Sequence, residues 1–312
     1  MAAYLVRRLW QMIPTLIGVV LLVFFLFKYF GGDPAEILGG LNATQEQIAA
    51  IRQQLGLDRP VIEQLGIFVK QILSFEWGKS WATNESVAHL FATRLPATLT
   101  VMTPILLLEV ALAIPFALMV AYVRGSLTDR AIMIATTVAL SISFLVYVIV
   151  GQYFFAFRLG WFPVQGWSDS TWINLTTYAP LPVLLAVTVS LAPQTRLYRS
   201  FFLDEIGQDY VRTARAKGLT ERSILLKHVL RNALIPILTN VAVSLPGIFV
   251  GSFLIEVFFS IPGLGREVLL AVNRSDYPVI QAVTIYIAVI TMVVNLGTDV
   301  LYKMVDPRVV LK

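Results

Sequence analysis

The sequence predicts an all-α polytopic membrane protein with six transmembrane helices and both termini in the cytoplasm. Three observations carry that expectation. Hydrophobic residues make up 57% of the chain and charged residues only 14%, whereas soluble domains are about 45–50% apolar and about a quarter charged. Apolar runs of about 20 residues, the length that crosses the hydrocarbon core, recur along the chain. Lysine and arginine concentrate on alternate connecting segments, as the positive-inside rule requires.

The first run, 9–30, follows Arg7 and Arg8. It is too long for the 7–15-residue apolar core of a signal peptide and no small-residue cleavage site follows it, so it reads as a retained span. Gly31-Gly32-Asp33-Pro34 then leaves the bilayer as a turn. Residues 31–96 are of mixed polarity, with aromatic anchors and pieces of helical period, and read as an external subdomain of short helices. Within it Thr44-Gln45-Glu46-Gln47 has the form of an N-cap and first turn; Ile48, Ile51 and Leu55 recur at helical spacing, and Gly56 stops the run. The remaining spans are expected at 97–123, 131–157, 179–200, 236–260 and 279–302. This gives an N-terminal helix 1–30, an external part 31–96, a core 97–303 carrying a cytoplasmic loop 201–235, and a tail 304–312.

With the N-terminus inside, the inner segments carry Arg7 and Arg8, Arg124 and Arg130, the basic residues from Arg196 to Arg231, and Lys303, Arg308 and Lys312. The net charge of +5 is thus accounted for by residues flanking spans beside membrane lipid and gives no reason to expect nucleic acid. Cysteine is absent, which excludes disulfides, thiolate metal sites and cysteine nucleophiles.

Ionisable residues within spans are costly and pair or act. Glu109 lies mid-span between Pro104 and Pro115, Glu256 near the outer end of the fifth span, and Asp299 in the sixth. Glu109 and Glu256 are candidates for a polar translocation pathway; Glu256 capping the outer mouth, and Asp299 pairing near the cytoplasmic face, are the plainer alternatives. Catalytic patterns are missing: His89 and His228 fall on opposite sides of the membrane, and neither a His-Glu-x-x-His helix nor a Gly-x-Ser-x-Gly elbow occurs. Trp77-Gly78-Lys79-Ser80 imitates the end of a phosphate-binding loop, but the earlier glycine of that motif is replaced by Leu73. No enzymatic activity of its own, no metal site and no bound cofactor are expected.

The most informative segment is 204–235. Asp209-Tyr210-Val211-Arg212-Thr213-Ala214-Arg215-Ala216-Lys217-Gly218-Leu219 is polar and basic in an otherwise oily chain. Its first part has the composition of a helix, and Gly218 can end it in the left-handed region. Thr220 can cap a second helix, Ser223 to Leu234, before Pro236, with Glu221 at the favourable end of its dipole. A defined charged two-helix element on a membrane protein is a docking element for a partner.

These residues resemble the "EAA loop" of bacterial ABC importer permeases, in the form found in the dipeptide/oligopeptide/nickel permease family. Ala214 and Gly218 occupy the loop's alanine and glycine positions; Arg212-Thr213, His228 and Arg231 depart from the general importer pattern toward the peptide-family form, with Leu230, Asn232, Ala233 and Pro236 in place. Further matches lie at Arg7-Arg8-Leu9, Gly32-Asp33-Pro34, Leu55-Gly56-Leu57-Asp58, Arg94-Leu95-Pro96-Ala97-Thr98-Leu99, Glu256 with Pro262-Gly263-Leu264-Gly265, and Asn295, Asp299, Tyr302 and Asp306-Pro307-Arg308. Gly31 stands where the family usually has proline.

The resemblance implies a type I ABC importer permease fold in the bacterial inner membrane and an alternating-access cycle. It also implies three kinds of partner: a second homologous permease, two cytoplasmic ATPases that hold ATP and Mg, and an external solute-binding protein. The loop 209–231 would couple to an ATPase, Ala214 and Gly218 through close packing and Arg212, Arg215 and Lys217 through charge. Peptides are the expected cargo, with nickel chelates and glutathione as alternatives within the family. An ion-coupled carrier using Glu109 is the alternative of a different class.

Overall fold

The structure, a computed structural model, describes residues 2–40 and 42–305. Most of the expected tail 304–312, with Arg308 and Lys312, lies outside the described residues, as do the side chains of Tyr302 and Lys303. Among the described residues the chain is helical, apart from connecting loops and one isolated bridge between Lys79 and Ser86. Four helices are long and apolar enough to cross a membrane, and up to six if two bent pairs each count as one span. The described residues divide into two compact units, one built from 2–96 and 263–296, the other from 97–262 and 297–305.

In the first unit, α1 (Ala2–Phe30) runs unbroken through Pro14. Three short helices follow, α2 (Pro34–Gly39), α3 (Gln45–Gln54) and α4 (Val61–Leu73). Thr44 caps α3 through a reciprocal box: its Oγ1 accepts from the Gln47 N–H at 3.3 Å and the Gln47 Oε1 accepts from the Thr44 N–H at 2.9 Å, which satisfies two otherwise orphaned donors. Asp33 caps α2 by accepting from the Ala35 N–H at 2.9 Å and pairs with Arg52 of α3, tying the two helices together. Lys28, in the last turn of α1, donates to Gln64 of α4 at 2.9 Å, and Phe24 and Phe68 rings meet at 5.8 Å.

The same unit contains α14 (Leu264–Asn273) and most of α15 (Tyr277–Val305). Between these helices Asp276, only 3% exposed, accepts from the Ser80 hydroxyl and from the backbone N–H groups of Trp81 and Ala82. Gly78-Lys79-Ser80 is therefore a turn anchored by a carboxylate, and the Ser80 hydroxyl and the Trp81 and Ala82 N–H groups are already engaged, so they do not form the backbone cradle of a nucleotide-binding loop. Beneath it Val87 and Leu90 pack with Ala271, Val279, Ala282 and Val283, and Arg94 pairs with Glu267 at 3.5 Å.

The second unit holds the helices that surround the polar hairpin. The helix α5 (Val87–Tyr122) passes from the first unit into it. The expected third span, 131–157, is two helices, α6 (Leu127–Ser141) and α7 (Phe144–Gly151, continued in π-helical form over Gln152–Arg158), bent by 90° at Ile142–Ser143. At the bend the Ala139 carbonyl of α6 accepts from the Ile142 N–H at 3.4 Å and from the Tyr147 hydroxyl of α7 at 3.0 Å. A short helix α8 (Thr171–Ile173) with a π-helical continuation bends by 58° into α9 (Pro180–Ile206). Arg199 of α9 grips Asp129 of α6 in a two-pronged pair at 2.9 and 2.7 Å, while Asp129 also accepts from the Gly125 N–H at 2.9 Å.

The expected fifth span also differs. Pro236 does not mark a boundary: helix continues from α11 (Glu221–Ser223) through a π-helical stretch Ile224–Val229 into α12 (Leu230–Val250), past both Pro236 and Pro246. The break comes instead at Gly251, which has φ +80°, after which α13 (Phe253–Phe258) is capped by Ser252. A prolyl nitrogen costs one backbone hydrogen bond, and membrane helices absorb that loss through neighbours and local π adjustments.

Two expectations test the first unit. Asp276→Ala removes the acceptor of three hydrogen bonds, and at about 1.5–3 kcal/mol for a bond to a charged group it should lower thermal stability in detergent and open 77–86 to protease, with Asp276→Asn intermediate. Burial alone would push the Asp33 carboxyl up, but the Arg52 hydrogen bond, the Ala35 N–H and the charges of Arg52 and Lys28 hold it below its ordinary value. A depressed carboxylate contributes stability above its unfolded pKa and loses it as pH falls through the folded one. Hydrogen-exchange protection factors over the described residues of 33–54, corrected for the intrinsic pH dependence of exchange, should therefore stay constant from pH 8 to 5 and fall only below about pH 4, whereas Asp33→Asn should lower them at neutral pH.

Candidate functional site

The polar segment folds as a compact hairpin. α10 (Asp209–Ala216) follows α9 after Gly207-Gln208, and α11 starts at Glu221. At its end the Gly218 N–H donates to the Arg215 carbonyl at 2.9 Å and the Leu219 N–H to the Ala214 carbonyl at 3.3 Å, the paired bonds of a Schellman cap. Gly218 sits at φ +78°, where a side chain is strained. A Cβ there would meet nothing within 4 Å, so within this chain glycine serves the backbone turn and not close packing. Thr220 accepts from the Ser223 N–H at 3.4 Å, as the sequence suggests for the second cap.

The hairpin has an inner and an outer face. Val211 and Ala214 are buried in a core with Ala117, Phe202, Ile224 and Val229; Ala214 thus packs inside its own chain. Arg215 grips Glu221 at 2.7 and 3.2 Å, closing the hairpin across its turn, and this pairing raises the Arg215 pKa. Tyr210 donates to Glu205; burial pushes its phenol up and the Glu205 carboxylate pushes it further. The outer face is left to Asp209, Arg212, Thr213, Ala216, Lys217 and Leu219, all exposed, with Arg212 reaching Asp209 at 3.4 Å. Sequence reasoning missed Val211, although its i,i+3 spacing to Ala214 marks the one apolar stripe on a polar helix.

The two pathway candidates sit in different surroundings. Glu109 is half-buried on α5 and faces Ser190 and Gln194 of α9. With Tyr198, whose hydroxyl donates to Asn240 of α12 at 3.2 Å, these residues form a polar stripe at four-residue spacing along α9. Glu256 is 1% exposed and accepts from the Thr98 hydroxyl at 2.9 Å. A Cβ on Gly251 would collide with that carboxylate and with the Thr98 methyl. Glu256 is a latch between α13 and α5, and the break at Gly251 makes room for it.

Two family profiles tile the chain. Residues 1–102 match the N-terminal region of the binding-protein-dependent transport system membrane component, and residues 113–311 match the binding-protein-dependent transport system inner membrane component itself. The chain belongs to this family. It is a multi-pass inner-membrane permease component. A putative peptide transport system permease protein of Brucella abortus (strain 2308) is 33% identical over 314 residues, covering 99% of each chain. A di/tripeptide transport system permease protein of Pseudomonas aeruginosa (strain UCBPP-PA14) is 33% identical over 332 residues, and a glutathione transport system permease protein of Salmonella choleraesuis (strain SC-B67) is 34% identical over 309 residues, again covering 99% of each chain.

The role of Gly218 has a direct test. Because the strain is in φ and not in space, Gly218→Asn, which tolerates the left-handed region, should keep the hairpin's protection from hydrogen exchange. Gly218→Val, β-branched and costing of order 1–3 kcal/mol there, should lose it.

Proposed function

We propose that this permease forms one half of the translocation pathway of an ATP-driven peptide importer and receives the motor's stroke through the hairpin 209–231. The observation that carries the reading is the two-sided hairpin: Val211, Ala214 and the Arg215–Glu221 clamp hold it rigid, and its outer face offers Arg212, Ala216, Lys217 and Leu219 to a partner. The family's character as a binding-protein-dependent system supports cytoplasmic ATPases, a second permease and an external solute-binding protein as that partner set, with ATP and Mg held by the ATPases. Peptide cargo is supported by the names of the Brucella and Pseudomonas relatives; the Salmonella relative makes glutathione, itself a tripeptide, the second candidate.

The chemistry asked of this chain is mechanical. α11, the π-helical stretch and α12 form one continuous helical rod from Glu221 to Val250, roughly 45 Å long at 1.5 Å per residue. A displacement of the hairpin is therefore carried up that rod as a rigid-body motion to the hinge at Gly251, and α9 is bound to the same hairpin through the Tyr210–Glu205 contact. Glu109, with Ser190 and Gln194, would offer polar groups to cargo within the membrane.

Arg212→Glu combined with Ala216→Glu changes only the exposed face. Uptake of labelled dipeptide by cells expressing the whole system should fall at least tenfold, and ATPase co-purification should be lost while the permease stays in the membrane. Normal uptake with full ATPase recovery would remove the hairpin from the coupling role. Competition of the same uptake by dipeptides, tripeptides and glutathione ranks the cargo.

A further inference from the structure

The first unit contains a cavity of about 840 Å³ between the end of α1, the short helices, the 77–84 turn and the start of α15. Its lining is graded. α1 brings Lys28 near its end and Phe24 about 6 Å further back along the axis; α15 brings Tyr277 at its start and Ile285 about 12 Å further in, at 1.5 Å per residue. Polar groups thus line the part of the cavity at the helix ends, and apolar side chains line the part within the spans. Trp81 and Tyr277 stand at the polar end, their rings 5.4 Å apart, the residue types that settle at the membrane–water boundary.

The charged lining is mainly cationic. Among the lining residues Lys28, Arg52 and Lys79 are cationic and Asp33 anionic; the Asp276 carboxylate lies behind Ser80 and Trp81, and Glu36 acts on Arg52. Asp33 is engaged by Arg52, so the cationic character rests on the lysines. Lys28 gives one hydrogen bond to neutral Gln64, and Lys79 has no side-chain bond or ion pair among the described residues. A site with a cationic mouth, an aromatic rim and an apolar floor fits a molecule with an anionic head and a hydrocarbon tail.

We propose that this cavity binds an anionic phospholipid, its phosphate between Lys28 and Lys79 and an acyl chain against Phe24 and Ile285. A free phosphate would leave the apolar floor wet, and a zwitterionic peptide has no net charge to answer the lysines. Juxtamembrane lysines attract anionic headgroups individually, so the paired lysines give selectivity among lipids of equal tail length. The proposal rests on the membrane placement of the chain and is independent of its cargo.

Native mass spectrometry of the full chain, purified in detergent and given equal phosphatidylglycerol and phosphatidylcholine, tests it. Phosphatidylglycerol should be retained in preference, and Lys28→Gln with Lys79→Gln should cut that preference roughly tenfold at unchanged thermal stability. Ile67→Trp, which keeps both lysines but narrows the cavity from the exposed side of α4, should lower retention of phosphatidylglycerol as well. Equal retention of the two lipids, an unchanged preference in the double lysine variant, or displacement of the lipid by millimolar inorganic phosphate would overturn the assignment.

Discussion

In hydrocarbon a backbone polar group has no water to turn to, so each must be satisfied within the protein. That constraint explains where this chain departs from straight helix. At the 90° bend between α6 and α7 the Tyr147 hydroxyl donates to the Ala139 carbonyl. Outside the expected spans the same pattern holds: the buried Asn174 side chain, at the start of the π-helical stretch before α9, accepts from the Ser168 N–H at 2.8 Å and donates to its carbonyl at 2.7 Å. Near the Gly251 break, Gln152 donates to the carbonyl of Phe258 at the end of α13, at 2.9 Å. Irregular backbone occurs where a neighbouring side chain can serve it.

Local signals were readable because their chemistry is local. The Thr44 capping box, the Gly218 turn and the Thr220 cap depend on groups within a few residues, and each stands where the sequence places it. Composition was as informative, since the cost of burying charge in a bilayer limits where charged residues can fall. The all-helical class follows from the same cost.

What could not be read depends on partners far along the chain. Ile142–Ser143 contains neither glycine nor proline, so nothing local announces a bend, and the tyrosine that stabilises it looks like any interfacial aromatic. Pro236 announced a break that does not occur: the α-helix runs through it and gives up one backbone hydrogen bond. Arg215 and Ala214 were legible as hairpin residues, but their inward roles, clamping Glu221 and packing beside Val211, are settled by the fold. Asp276 carried no motif at all; its three acceptor bonds reach back about two hundred residues in sequence to Ser80, Trp81 and Ala82.

The contact among Thr98, Gly251 and Glu256 bears on how such permeases can be recombined. The carboxylate occupies the space that a side chain at 251 would need, and the hydroxyl at 98 answers the carboxylate. The three positions form one packed unit although more than 150 residues separate the first from the others. A chimaera that joined the 97–102 segment of one relative to the 251–256 segment of another would keep this lock only where the two parents agree at all three positions. Crossover points for building hybrid importers should therefore fall so that both segments come from one parent.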